Sequence, residues 1–220
     1  MNWSTRVLEN SPPVRRTRES AVEQARQIVT GAQQLVAERG TAVSAQELAR
    51  AGNVALQTFY RYFASKDELF LAVFEETIEA GCLAMREAAD TLDDPMDRLQ
   101  FYITEALRPV DADGLAIQQF VTSEHYRLQQ LFPAEMSMAL RPFVDLIVPE
   151  LHAAAAAGAL APGDIEREAL FVTRLVLGAF HHQAFAPDDG HREQDRQALW
   201  AFCLRGLGAG GTGQASDADH

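Results

Sequence analysis

Apolar residues recur along this chain at the three- and four-residue spacing of amphipathic helices, and no stretch alternates with the period of two of a half-buried strand. Ser20-x-x-Glu23 reads as a capping box opening a helix whose Ile28, Ala32, Leu35 and Val36 share one stripe, and Gly40 stops it. Ser44-x-x-Glu47 is a second box, leading a short segment with Leu48 and Ala49 inward. Asn53 marks a turn, because Asn tolerates the left-handed conformation. An aromatic segment follows from Ala55 to Phe63. Ser65-x-x-Glu68 is a third box, before an apolar pattern of Leu69, Val73, Phe74 and Ile78 that runs to about Ala89.

The rest reads as longer helices with short breaks. Asp94-Pro95 opens one ending near Arg108-Pro109, and Asp111-x-Asp113-Gly114 reads as a loop. A helix from about Leu115 reaches Leu131. Another runs from Pro133 into the alanine tract Ala153 to Ala157, with kinks or a break expected at Pro142 and Pro149. Asp164 caps a helix to Phe185; after Pro187-Asp188-Asp189-Gly190 a last helix spans about His191 to Leu207. Gly208 to His220, rich in Gly, Ala, Ser and Asp, reads as disordered. The pattern predicts an all-α protein.

Composition narrows the class. With 220 residues, 47% of them apolar, the chain is long enough to bury a core without staples. Cys82 and Cys203 are far apart, form no C-x-x-C and read as reduced core residues of a cytosolic protein. No apolar run reaches membrane-spanning length, and Met1 to Glu19 lacks the apolar core of a secretory signal. The net charge of −12 argues against nucleic acid until its distribution is read. Residues 1–66 hold nine basic and five acidic side chains, a balance of +4, and the remainder carries −16. Such asymmetry points to a DNA-facing N-terminal module on an acidic body.

Two short helices joined by a tight turn, the second aromatic and the whole preceded by arginines, follow helix-turn-helix logic. On a wheel from Ala55 to Phe63, Phe59, Tyr62 and Phe63 cluster on one side. Gln57 and Arg61, four apart, share the other, flanked by Thr58 and Tyr60. The first set suits a small core. The second suits a groove, since Gln and Arg reach adenine and guanine edges in two-point contacts and hydroxyls suit phosphates. Lys66, the only lysine, sits in the first turn of the next helix.

The run Gln46-Glu47-Leu48-Ala49, Gly52-Asn53-Val54-Ala55, Thr58-Phe59-Tyr60-Arg61-Tyr62-Phe63 and Ser65-Lys66-Asp67-Glu68-Leu69 resembles the DNA-binding domain of TetR-family transcriptional regulators. The resemblance covers about residues 20 to 75. It implies DNA contacts at Ser44, Thr58, Tyr60 and Lys66, to which Leu56, Gln57 and Arg61 of the aromatic segment are added as candidates, and a variable helical domain for ligand binding and dimerisation. Three positions depart from the family's run. Asn53 stands where Gly is usual, Ala55 replaces a capping Ser, and Gln57 replaces a frequent Gly.

The expected organisation is a flexible basic arm over 1–19, a helix-turn-helix domain over 20–66, a ligand-binding and dimerisation domain over 67–208 and a disordered tail over 209–220. Phe101, Tyr102, Phe120, Tyr126, Phe143 and Ile147 are the candidate lining of an apolar ligand pocket. Arg127, Arg141 and Arg174 would meet an anionic ligand group or acids of neighbouring helices. The last two helices are apolar on more than one face, so Leu175 and Phe202 are candidates for a homodimer interface.

Gly206-x-Gly208-x-x-Gly211 follows a helix, not a strand, and reads as tail rather than a dinucleotide fingerprint. No catalytic constellation, metal-ligand spacing or cofactor motif stands out. The expectation is a cytoplasmic, homodimeric, non-enzymatic repressor, released from double-stranded operator DNA by a small, largely apolar effector of lipid-like or acyl-thioester type, with no membrane partner. The rival is an all-helical enzyme or ligand carrier that keeps the N-terminal module as structure.

Overall fold

The computed structural model describes residues 3–4, 15–187 and 190–209, with side chains except at 15–19. Most of the expected arm, and the expected tail beyond residue 209, lie outside the described residues. Within them every regular element is an α-helix. In chain order these are α1 (Arg15–Arg39), α2 (Ala45–Ala51), α3 (Leu56–Tyr62), α4 (Lys66–Ala89), α5 (Pro95–Glu105), α6 (Ala112–Leu131), α7 (Pro133–Ala139), α8 (Arg141–Ala156), α9 (Ile165–Phe185) and α10 (Arg192–Gly206).

Local chemistry sets most boundaries. Asp94, Asp111 and Asp164 each place a carboxylate oxygen on a free N–H of the first turn, at Met96 (2.7 Å), Gly114 (3.0 Å) and Arg167 (3.1 Å). The Asp111 cap starts α6 at Ala112, three residues before the expected Leu115, and absorbs the presumed loop. The first helix also starts early, at Arg15 rather than Ser20, because nothing between them breaks a helix and the prolines stand at 12 and 13. Of the two prolines expected to disturb the later segment, neither breaks it alone. Pro142 falls in the first turn of α8, where its missing N–H costs nothing, and the break lies at Leu140. Pro149 is accommodated inside α8.

The chain forms two compact units, and compactness divides it differently from the expected division by role at residue 66. The first unit comprises Met1–Cys82 with Val110–Pro142. There α1 packs along α6 and against α2, and α2 against α3. Its core joins Ile28, Val29, Ala32 and Val36 of α1 to Leu48, Phe59, Leu69, Phe70, Phe74, Phe120, Val121 and Leu128, all essentially inaccessible to solvent. Phe70 and Phe120 meet edge to face at 5.4 Å. The second unit comprises Leu83–Pro109 with Phe143–His220. Its core holds Leu99, Ile103, Val144, Ile147, Leu151, Ala169, Val172 and Val176. Arg196 of α10 fastens to α5 by donating Nε–H to the Thr104 carbonyl at 2.9 Å. Both cysteines are buried free thiols, and burial pushes the Cys203 thiol up to about 11, so it packs rather than reacts.

Candidate nucleic-acid interface

The interface is built on three tight features of the first unit. The Ser44 hydroxyl accepts the Glu47 N–H at 3.2 Å, while the Glu47 carboxylate accepts the Ser44 N–H at 2.8 Å and its hydroxyl at 2.7 Å. This reciprocal box starts α2 where the sequence placed it. Those bonds hold the Glu47 carboxyl below its ordinary value, the Ser44 backbone N–H contributing most, then its hydroxyl, with Arg39 and Arg50 assisting against a little desolvation.

The turn follows. Asn53 has φ 54°, the left-handed conformation expected of it, and Val54 N–H returns to the Ala49 carbonyl at 2.9 Å. The third feature is close backbone approach. A Cβ on Gly31 would stand 2.3 Å from the Ala51 carbonyl oxygen, and one on Gly52 would stand 2.7 Å from Ile28 Cα. Glycine at 31 therefore lets α1 lie directly on the end of α2.

On α3, Phe59 and Tyr62 are buried, as is Phe63 just beyond the helix. Their rings fix the rotation of a seven-residue helix that has no side-chain cap at Ala55. That rotation leaves Leu56, Gln57, Tyr60 and Arg61 exposed and Thr58 half-buried. Gln57 and Arg61 share one outward stripe, as one turn of helix requires. Arg61 also leans back toward α1. Its Nη2 lies 3.4 Å from the Gln24 amide oxygen and 3.3 Å from the Tyr62 hydroxyl, and the Tyr62 hydroxyl donates to the same Gln24 oxygen at 2.8 Å. Gln24 was not among the sequence candidates; a contact across 37 residues leaves no local signal.

Lys66 is half-buried. Its ammonium donates to the carbonyls of Thr41 (3.3 Å) and Val43 (3.4 Å) and sits 5.1 Å above the Phe70 ring. The structure thus brings Lys66 beside Ser44, pinning the segment between α1 and α2 to the start of α4. The next residue, Asp67, accepts from Arg127 Nη1 of α6 at 2.5 Å, and Arg127 Nε donates to the buried Glu124 at 2.6 Å. Burial works against the Arg127 charge, but its bonds to Asp67 and Glu124 outweigh that and raise its pKa. Of the two destinations open to Arg127 in the sequence, neighbouring acids are the one occupied.

The candidate ligand residues are scattered in environment. Tyr102, Phe120, Phe143 and Ile147 are buried, Phe101 is half-buried and Tyr126 is 70% exposed. Tyr102 lines a cleft of about 360 Å³ in the second unit, together with Arg86, Asp90, Arg98, Asp145 and Glu150. Arg98 is committed there, to Glu150 at 2.9 Å and to the carbonyls of Leu92 and Asp93 at 2.7 and 3.0 Å. On the same unit Leu170, Phe171 and Leu175 of α9 and Phe202 of α10 lie open to solvent, while Val172, Val176 and Cys203 face inward. Among the described residues no group of three or more His, Cys, Asp or Glu is placed to hold a metal ion, and no helix is long and apolar enough to cross a membrane.

A recognition helix set by a buried aromatic triad, on a capped helix and a left-handed turn, defines a helix-turn-helix DNA-binding domain on an all-helical body. Residues 28–73 match the model of the bacterial regulatory proteins of the tetR family. These residues are thus similar to a TetR-family DNA-binding domain, which supports a DNA-binding transcriptional regulator. Solved structures share its fold. A FadR of Bacillus subtilis in complex with stearoyl-CoA superposes with a TM-score of 0.63 at 16% identity, over 82% of this chain and 98% of that one. The reduced form of Escherichia coli NemR gives 0.63 at 20% identity, over 84% and 98%. RolR in complex with resorcinol gives 0.57 at 21% identity, over 86% and 89%. No curated protein sequence matches the chain significantly.

Proposed function

We propose that the protein is a homodimeric repressor that holds one operator half-site per subunit and leaves it when a small, largely apolar ligand binds. The observation that carries this reading is the outward face of α3, where Leu56, Gln57, Tyr60 and Arg61 stand exposed over a buried aromatic base. Gln57 and Arg61 read base edges; Thr58, Tyr60, Ser44 and Lys66 face phosphates. Exposed Leu170, Phe171, Leu175 and Phe202 support dimerisation through α9 and α10, because four large apolar side chains on one pair of helices need a cover. Such a dimer meets a two-fold operator.

The ligand reading rests on the aromatic residues of the body and on the company of the fold. FadR holds stearoyl-CoA and RolR holds resorcinol in their structures. Phe101, Tyr102, Phe120, Tyr126, Phe143 and Ile147 are the residues assigned to it, with a lipid-like or acyl-thioester effector. Residues 67–208 form the ligand-binding and dimerisation domain in this reading, residues 20–66 the reader, and the protein acts in the cytoplasm without catalysis.

Duplexes selected by the protein from a random pool test this directly. A two-fold sequence should emerge, bound by a dimer in sedimentation, and long-chain acyl-CoA should weaken that complex. A ligand weakens operator binding only by its preference for the unbound state, and the operator must weaken the ligand by the same factor. An asymmetric site bound by a monomer would sink the repressor model.

A further inference from the structure

The charged cleft of the second unit plays no part in the DNA reader, and of the six residues assigned above to an apolar effector it contains only Tyr102. Its walls are the end of α4 with Leu92 beyond it, α5 and α8, all within that one unit. Two buried polar groups open on it incompletely bonded. Glu150 is 9% exposed, and Arg98 places both Nε (2.9 Å) and Nη2 (2.8 Å) on the same carboxylate oxygen, Oε2. Oε1 receives no hydrogen bond from a described residue. Tyr102 is 4% exposed, and its hydroxyl bonds to no described residue either. Burial, first, holds the Tyr102 phenol above its ordinary pKa; Glu150 adds to that, Arg98 and Arg86 oppose it, and Asp90 adds a little. Those four charged residues all line the cleft, which places the hydroxyl among them.

We propose that this cleft binds a small organic monocation, an amine carried on an apolar body. A nearly buried carboxylate with one oxygen lacking a donor is costly, and an ammonium supplies the strongest donor available to it. The ammonium donates to Glu150 Oε1 and to the Tyr102 oxygen. Arg86 and Arg98 stand against Asp90, Asp145 and Glu150, a net charge of −1, so one positive charge brings the cleft to neutrality. Concave walls of low dielectric strengthen that preference. Ala89, Leu92, Leu146 and Pro149 cover the apolar body, and a volume of about 360 Å³ admits a molecule of single-ring size. A carboxylate would meet Glu150 and Asp90 instead, and Arg98 is already committed to Glu150 and two carbonyls. Such a site goes beyond the acyl effector and is independent of operator binding.

Phenethylamine, 2-phenylethanol and phenylacetate share one ring and differ in the charge of the end group. Each is titrated calorimetrically into the full chain at pH 7 and low salt, without DNA. Phenethylamine should bind at one site with a Kd of about 10 µM to 1 mM. The alcohol should bind about 10-fold weaker or less, and the acid not at all up to about 10 mM. Glu150→Gln should abolish binding, but it also strips Arg98 of its ionic partner, so gentler variants carry the decision. Tyr102→Phe keeps the ring and should weaken phenethylamine about 3- to 10-fold. Arg86 and Asp90 are exposed and make no ion pair among the described residues, so they test charge alone. Arg86→Gln should tighten phenethylamine and Asp90→Asn should weaken it, each about 2- to 5-fold and less as salt rises. The cation site is overturned if phenethylamine does not bind, or if the alcohol or the acid binds as tightly. It is equally overturned if Tyr102→Phe binds as the unmodified protein does, or if Arg86→Gln and Asp90→Asn shift affinity in the same direction.

Discussion

The outward faces of α3 and α9 are both exposed and both made by large side chains, and they differ in what they offer. On α3 the exposed set ends in an amide, a phenol and a guanidinium, with Leu56 beside them. On α9 it is Leu170, Phe171 and Leu175, joined by Phe202 of α10, with Arg174 over the Phe171 ring at 5.9 Å. A face rich in hydrogen-bond groups is stable in water and waits for a polar target; a face of leucine and phenylalanine is stable only when covered. The supports differ too. The seven residues of α3 hold their rotation through Phe59, Tyr62 and Phe63, whereas α9 is 21 residues long and needs no such wedge.

The contrast breaks most heavily on the apolar side. Leu175→Asp combined with Phe202→Asp should yield monomers in sedimentation while leaving the helix-turn-helix folded. Losing one of two linked half-site contacts should weaken operator binding roughly 10²- to 10⁴-fold. A double variant that remains dimeric would take α9 and α10 out of the interface.

On the reader the largest effect on folding stability should come from backbone approach. Gly31→Ala adds a Cβ 2.3 Å from the Ala51 carbonyl, a backbone atom that cannot swing aside. Alanine is the better helix former by up to about 1 kcal/mol, and overpacking costs about 1–3 kcal/mol, so a net loss of about 1–2 kcal/mol is expected in denaturant unfolding. A stabilised variant would show that α1 and α2 yield at that point.

The polar contacts should separate by kind. Gln57→Ala and Arg61→Ala should each relax preference at one base position, at about 1–3 kcal/mol there if the contact is two-pointed. For Arg61 a competing tie to Gln24 and Tyr62 must first be given up, so Gln24→Ala should change the same base preference and no other. Lys66→Ala should instead weaken all sequences alike and make the salt slope shallower by about 0.9. An unchanged slope would leave Lys66 solely as the pin between Val43 and α4.

These cases also show how much the chain's letters disclosed. Capping and turn chemistry act within three or four residues, so the Ser44 box, the caps at Asp94 and Asp164 and the positive φ of Asn53 were legible. The inward set Phe59, Tyr62 and Phe63 was legible from helical period alone. Contacts that join distant segments were not. Arg61 with Gln24 spans 37 residues, Arg127 with Asp67 spans 60 and Trp3 with Glu75 spans 72. No periodicity encodes which distant acid an arginine meets. Gly31 was silent for the same reason, since inside α1 it reads as a helix weakener until α2 is seen lying on it. Boundaries slipped where two signals competed, as at Asp111, whose capping role outweighed the turn tendency of Asp113-Gly114.

The smallest effect expected is on acid stability, and it sharpens the account of how the reader is held. Glu47 is held below its ordinary 4.5 first by the Ser44 N–H and then by the Ser44 hydroxyl. A carboxyl depressed in the folded state stabilises folding fully above its unfolded value. That contribution is lost as pH falls below 4.5 and through the lower folded value. The unfolding midpoint of the protein should therefore exceed that of Glu47→Gln at pH 7, and the gap should close as the solution is acidified. Ser44→Ala removes the donor hydroxyl and should narrow the window over which the gap closes, while the Ser44 backbone N–H keeps part of it open. Glu47 is partly exposed and its Arg39 partner more so, so salt should shrink the Arg39 and Arg50 share and leave the short Ser44 bonds nearly untouched. A gap that is independent of pH would mean that the amide of glutamine caps as well as the carboxylate, and that α2 owes its start to shape rather than charge.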